Sequence, residues 1–409
     1  MAQIKAQLLL GIGLLAALAC GEPDPTRGPT EEPATGALPR GLWVLCEGSQ
    51  RVLEHPERIR ALVEDASGLG ASDLFVQVYR GGRAWFDSSH ADAAPYRALR
   101  EATETDTLAE LIAQAHAAGL RVHAWVNVLS LAQNRDAPLV KDLGRDAVMV
   151  DRQGRSVLDF PNFEVPPPDR RYYRMGTPAL WLDPAVPSVA ARLSVTFAEL
   201  LTRYPELDGL HFDYIRYPDV LPFVPGSRFG VGLDFGYGAS TRGRFKAETG
   251  LDAPFGDSLA NANRWDSWRR DQLTGLLVAL RMAARTAHPE VQLSAAVLPY
   301  TDRAYLSLGQ DWRRWLEDGL LEFAVPMAYT LDDRILRYQA ESLAHLPVGG
   351  RIWIGLGTWL FAKHPQRALE QIRIVRAAGG AGESLFSYDS IAEAPELRDA
   401  LIREASAGG

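Results

Sequence analysis

The sequence has little sulfur, no basic tract and no apolar run long enough to span a membrane. Two cysteines, Cys20 and Cys46, stand among 409 residues, which excludes a disulfide framework and a thiolate zinc knot. Lys and Arg number 43 against 51 Asp and Glu, a net charge of −8, and the cations are scattered. That argues against a nucleic-acid partner and leaves a neutral or cationic one open. No glycine-rich fingerprint follows the first apolar strand, so a dinucleotide-binding sheet is disfavoured. A Gly-x-Ser-x-Gly elbow is missing too, and Cys46 lies within an apolar strand, where a buried thiol is inert. What remains is 47% hydrophobic and 23% charged, a globular chain with ample core.

The amino terminus reads as an address. Residues 1–7 carry one cation, Lys5, and residues 8–19 form an apolar run shorter than the ~20 residues a spanning helix needs. Small residues end the run, as in a secretory signal. Cys20 follows directly and resembles the lipidated cysteine of bacterial lipoproteins, with Ala17 where the usual pattern has Leu. Residues 1–19 are therefore expected to be a signal peptide, and Cys20 a lipidation site. Residues 20–39, rich in Pro, Gly, Thr and Glu, are expected to be a disordered tether. The folded body would span 40–409, exported and held by its lipid on the periplasmic side of the envelope; plain secretion is the alternative.

A repeated rhythm runs through the body. Apolar residues at helical spacing, such as Ile59, Leu62, Val63 and Ala66, end on a glycine and pass into a short apolar run. Strands are expected at 42–46, 74–79, 121–127, 208–213, 291–298, 323–329, 351–356 and 384–388. Eight strands alternating with helices predict an α/β fold of the (β/α)8 TIM-barrel type. A doubly wound open sheet is the alternative. Such barrels need ~250 residues, which leaves room for long loop insertions after strands 3 and 4, at about 128–182 and 218–263.

Polar residues on these strands carry the chemical information, because a buried parallel strand is otherwise nearly continuous Val, Ile and Leu. Period-two alternation places His211 and Asp213 on the inward face of the fourth strand, and His123, Trp125 and Asn127 on that of the third. Gln77 and Tyr79 project likewise from the second strand, followed by Arg80. A carboxylate among amides and cations can act as acid, base or nucleophile, and aromatic faces suit sugar rings. Asp213, at a strand's carboxyl end, is the expected catalytic carboxylate; its structural alternative is an ion pair with Arg216. Glu47 and Asp389, after strands one and eight, are candidates for a second carboxylate and equally loop charges, as are Asp302 and Asp332. Asp183 reads as a helix-start residue, and Trp312 and Trp315 as core. His123 and His211 read equally as hydrogen-bonded core histidines and as groups that orient Asp213 or a substrate hydroxyl; with Asp213 they lack a Cys or Glu to complete a metal cluster, so neither a metal nor a cofactor is expected.

Seven stretches resemble the glycosyl hydrolase-like 10 family of bacterial barrel proteins: RGLWVL (40–45), LFVQVYRGG (74–82), AHAAGLRVHAWVN (115–127), WLDPAVPSV (181–189), LDGLHFDYIRYP (207–218), QDWRRWLEDGLLEFAVPMAYT (310–330) and LFSYDS (385–390). HFDYIRYP is the most specific. The resemblance implies a carbohydrate-active hydrolase, often an envelope lipoprotein, with Gln77, Arg80, His123, Asn127, His211, Asp213, Arg216 and Tyr329 in the pocket. The chain departs from many relatives at Cys46-Glu47 and at Gly81-Gly82-Arg83-Ala84-Trp85, both on the expected substrate rim. The expected reaction is glycosidic hydrolysis of an envelope glycan, foremost peptidoglycan strands. If Glu47 and Asp389 lie too far from Asp213, a substrate N-acetyl group would serve as nucleophile. A glycan-binding lipoprotein without catalysis, and a hydrolase of another exported polysaccharide, are the alternatives.

Overall fold

The computed structural model describes residues 38–167, 169–222, 233–252 and 258–407. The expected signal peptide, Cys20 and nearly all of the tether lie outside the described residues, as do parts of the second expected insertion.

Eight parallel strands form the barrel: β1 (Arg40–Val44), β2 (Asp73–Arg80), β3 (Arg121–Asn127), β4 (Gly209–Asp213), β5 (Gln292–Val297), β6 (Phe323–Pro326), β7 (Trp353–Gly357) and β8 (Gly382–Phe386). They pair in the order β7-β8-β1-β2-β3-β4-β5-β6. The parallel bridges Ala324↔Ile352 and Met327↔Gly355 bring β6 to β7 and nearly close the ring. A helix follows each strand: α1 (Pro56–Gly68), α2 (Thr107–Ala117), α3 (Pro187–Arg203), α4 (Leu259–Ala287), α5 (Trp312–Glu317), α6 (Asp333–Ala344), α7 (Pro365–Ala377) and α8 (Pro395–Ala407). This is the (β/α)8 barrel that the apolar rhythm predicts. Gly119 and Gly319 close α2 and α5 with φ of +76° and +66°, where a side chain would be strained.

The chain between β3 and α3 holds short helical turns and the strand Tyr173–Met175, which pairs antiparallel with Val220–Pro222 after β4. The segments that follow neighbouring strands are thus stitched together beside the carboxyl ends of β3 and β4.

Outward residues such as Val122, Ala124 and Val126 join the helices in one large apolar cluster. The interior is aromatic instead: Trp43, Phe75, Trp125, Phe323 and Trp353 pack around Ala296 and Val325. Two large aromatics meet face to face, Phe323 and Trp353, at 4.4 Å and 21°.

One strand breaks the period-two rule. The β2–β3 register jumps between Gln77, which pairs with Trp125, and Tyr79, which pairs with outward-facing Val126. The irregularity turns Tyr79 into the helix layer, edge-on to Phe197 of α3 at 5.2 Å. Tyr79 therefore does not project into the pocket with Gln77, as strict alternation predicts. The same shift brings Arg80 back to the pocket side, the re-aiming that bulges perform.

Candidate active site

Asp213 ends β4, and its backbone pairs with Asn127 at the end of β3. Its carboxyl is 7% exposed. Oδ2 accepts the Trp125 indole N–H at 3.2 Å, and Oδ1 accepts the backbone N–H of Tyr214 at 2.6 Å. Tyr214 can present that N–H because it takes φ +53°, a conformation that costs a non-glycine residue about 1 kcal/mol. Burial pushes the Asp213 pKa up to about 6, against the opposing pull of the Tyr214 N–H, the Arg216 charge and the Trp125 N–H. A carboxyl poised there is protonated often enough near neutrality to donate a proton.

Arg216 forms no ion pair with Asp213 among the described residues. Its guanidinium lies over the rings of Trp181 and Tyr214, at 5.2 and 5.1 Å, and donates to the Tyr217 carbonyl. Tyr329 brings a buried hydroxyl without a hydrogen-bond partner. Burial, reinforced by the Asp213 and Tyr214 charges, holds its pKa well above the ordinary phenol value. It is a neutral O–H donor waiting for an acceptor.

Gln77 and Asn127 form a second polar group. Gln77 Nε2 donates to Asn127 Oδ1 at 3.2 Å, and the Cys46 thiol donates to Gln77 Oε1 at 3.2 Å. Burial raises the Cys46 pKa, so this thiol serves as a fixed donor rather than a nucleophile.

Asn127 and Tyr214 also line a cleft of about 770 Å³ together with Glu47, Arg80, Arg83 and Ser130. Glu47 sits there between two cations, 3.2 Å from Arg80 and 2.7 Å from Arg83. Asp389 accepts the backbone N–H of Gln50 through Oδ1 at 2.8 Å and so orders the loop after β1, while its buried Oδ2 has no hydrogen-bond partner. Of the three candidate carboxylates, Glu47 is clamped by cations, whereas Asp213 and Asp389 form no ion pair among the described residues, and Asp389 anchors a loop through one oxygen.

The two histidines lie deeper than the strand pattern implies. His211 is fully buried below Asp213, and its Nε2 accepts the Trp43 indole N–H at 3.1 Å. An indole nitrogen only donates, so the proton is on Nδ1 and goes to Ser294 Oγ at 2.8 Å. Burial, aided by His123, holds the His211 pKa well below its ordinary value. His123 pairs in register with Gly209, four residues before Asp213, and donates through Nε2 to Asp73 at 2.8 Å. Four residues of strand are roughly 13 Å. The structure does not bring His123 to the pocket, and it places His211 beneath the floor rather than in the walls.

Asp183 lies in a buried turn, accepting from Ala185 N–H and the Thr241 hydroxyl. Asp332 caps α6, and Asp302 lines an outer surface cleft beside Arg313. Trp312 and Trp315 are core residues.

The sequence profile of the glycosyl hydrolase-like 10 family matches residues 39–344. The chain belongs to that family. Among curated relatives, glycosyl hydrolase DigH of Escherichia coli (strain K12) is 25% identical over 280 residues, 64% of this chain and 55% of that protein. Glycosyl hydrolase YngK of Bacillus subtilis (strain 168) is 22% identical over 295 residues, 68% of this chain and 50% of that protein. The chain thus matches about half the length of these relatives. Solved structures of similar fold include α-L-fucosidase isoenzyme 2 from Paenibacillus thiaminolyticus, with a TM-score of 0.58, 13% identity and coverage of 91% of this chain and 50% of that one. The catalytic domain of β-amylase from Paenibacillus polymyxa has a TM-score of 0.54 and 13% identity, covering 90% and 100%. These likenesses establish the barrel.

Within this family member, three site residues escape a strand-based reading. Tyr214 and Trp181 meet edge to face at 5.6 Å and both contact the Arg216 guanidinium, and both stand in the family-like stretches without a role of their own. Trp359, in the 3-10 turn Thr358–Phe361 after β7, touches the rings of Tyr329 and Phe386 at 4.8 and 5.5 Å. Its only signal in the sequence is its place just past a strand's carboxyl end, where barrel active sites are built.

Proposed function

We propose that this protein hydrolyses O-glycosidic bonds of a bacterial envelope glycan, with Asp213 as the proton donor. The observation that carries this reading is the Asp213 carboxyl: buried at the carboxyl end of a barrel strand, paired with no cation among the described residues, and raised to a pKa of about 6. Membership of a hydrolase-like family and relatives named glycosyl hydrolases support the same reaction class.

The second partner in the reaction follows from the other two carboxylates. Glu47 is held by two arginines and Asp389 by a backbone amide. No carboxylate contributes to the Asp213 shift, unlike a pair set ~5 Å apart for retention. In this reading the acetamido oxygen of the substrate is the nucleophile. It attacks the anomeric carbon as the C–O bond to the leaving sugar breaks and the Asp213 proton passes to the leaving oxygen. Water then opens the resulting oxazolinium ion and returns a proton to the Asp213 carboxylate. Tyr329 and Asn127 are placed to donate to substrate oxygens. An N-acetylated glycan is required, which favours peptidoglycan strands, as does the expected lipid anchor at Cys20.

Release of reducing ends from peptide-free glycan strands tests the reading, using wild type, Asp213→Asn and strands stripped of their N-acetyl groups. Hydrolysis by wild type alone, of acetylated strands alone, is the expected result. Strand binding without new ends would make the protein a glycan-binding barrel. Equal activity on deacetylated strands would return the nucleophile to Glu47 or Asp389. Separately, Cys20→Ser should shift the protein out of the membrane fraction; an unchanged distribution would remove the anchor.

A further inference from the structure

All ten tryptophans of the chain lie among the described residues, and nine of them are at most 7% exposed. Trp359 is 40% exposed. A large apolar ring left in water is informative when it stands at a site, and this one stands at the outer end of a wall that begins at Asp213. Trp125, bonded to Asp213, approaches Phe386 at 6.3 Å; Phe386 approaches Tyr329 at 5.6 Å, and both touch Trp359. Exposure increases along that wall, from buried Trp125 through half-buried Phe386 and Tyr329 to Trp359.

The indole is also held in place. Thr358, its neighbour, donates its hydroxyl to the Phe386 carbonyl at 2.8 Å and meets Ser390 Oγ at 3.3 Å. Both contacts of Trp359 with its neighbours are edge contacts, at 83° and 77°. Gly357 supplies the seat. A Cβ there would lie 2.6 Å from Trp359 Cζ3 and 2.8 Å from Cη2. Gly357 has φ −86°, open to any residue, so the missing side chain makes room for the ring rather than for a turn.

We infer that Trp359 on its Gly357 seat is a sugar-binding platform, a subsite on which a pyranose of the glycan next to the cleaved bond lays its C–H face. Axial C–H groups and a flat π-face are complementary, and a ring already anchored loses little freedom on binding. This inference rests on the glycan reading of the Asp213 site and adds to it a binding residue outside the family-like stretches quoted above.

Two readouts test it, one independent of catalysis. Acrylamide quenching of intrinsic fluorescence should show one accessible tryptophan, removed in Trp359→Phe and shielded in wild type by N-acetylchitohexaose or peptide-free strands. In kinetics on those strands, Trp359→Ala should raise KM about tenfold, with kcat changed no more than about twofold. Trp359→Phe should recover part of the loss. Gly357→Ala should mimic Trp359→Ala by unseating the ring, and the double variant should be no worse than either single one, since both act through the same contact. Near-ultraviolet circular dichroism and unchanged melting confirm that the variants fold. Shielding by sugar without any hydrolysis would uphold the platform and overturn the hydrolase reading. Hydrolysis with an unchanged KM in Trp359→Ala and no shielding would overturn the platform alone.

Discussion

Two aspartates inside this barrel, Asp73 at the start of β2 and Asp213 at the end of β4, are both buried and have opposite fates. Asp73 accepts from His123, Arg121 and the Ser72 hydroxyl at 2.8, 2.9 and 2.6 Å. Burial works to raise its pKa, and the His123 hydrogen bond and charge, with Arg121 and Ser72, outweigh it and hold the carboxyl below its ordinary value. Asp213 accepts one indole and one amide N–H, and burial wins. The amino-terminal pole is a set of ion pairs, extended by Arg40 with Glu383 and Glu404, in which His123 Nδ1 and Glu383 Oε2 lack a hydrogen-bond partner. The carboxyl pole keeps an unpaired carboxyl, an orphaned Tyr329 hydroxyl and an exposed indole. Charge paired with charge holds the amino-terminal pole together, and a carboxyl without a counter-ion is left at the pole where a substrate can bind.

That contrast can be broken by exchanging losses between the poles. Asp213→Asn should reduce kcat about 10³-fold, some 4 kcal/mol of barrier, while the fold persists. Asp73→Asn should do the reverse. Denaturant titration should show a loss of about 3 kcal/mol, because Arg121 and His123 lose their buried partner, with kcat of the folded fraction unchanged. Since the folded pKa of Asp73 is depressed, its contribution is present above its unfolded pKa and fades as pH falls through the folded value, so wild type and Asp73→Asn should converge in acid.

Asp213 has the opposite sign. Its folded pKa of about 6 lies above the unfolded one, so wild type loses stability as pH rises through about 6. Asp213→Asn should consequently be the more stable protein by about 3 kcal/mol near pH 8, a gain that vanishes below about pH 4. Equal stability across that range would mean that Asp213 is not buried as described. Tyr329→Phe should have the smallest effect of the series, lowering kcat/KM about tenfold by removing one donor without a change in melting temperature.

The strands are legible in the sequence because each buried parallel strand is an apolar run bounded by a helix stop. Asp213 is legible because a charge that closes such a run stands at the barrel end where active sites are built. Depth is not legible. Alternation separates inward from outward residues, but where a residue sits along the barrel axis depends on strand stagger, which pairs His123 with Gly209 and Asn127 with Asp213. His123 therefore reads as a pocket residue and belongs to the opposite pole. Tyr79 faces the helices through one irregularity in register, which leaves no mark in composition. Asp389 follows its strand as a catalytic carboxylate would, and only tertiary structure shows it bound to the Gln50 amide. Trp359 lies outside the periodic segments, so only its place just past a strand's carboxyl end sets it apart from the nine buried tryptophans.

The central claim is that the Asp213 carboxyl keeps its proton up to about pH 6, well above an ordinary aspartate, because it is buried and unpaired. Carbon-13 detection of the aspartate carboxyls through a pH titration, with Asp213→Asn assigning the resonance by its disappearance, measures this directly. One carboxyl titrating near pH 6 and missing from the variant is the predicted result. If the resonance lost in the variant instead titrates at the ordinary aspartate value of about 4, burial has not raised Asp213, only about one molecule in a thousand carries the proton at pH 7, and its role as proton donor is contradicted.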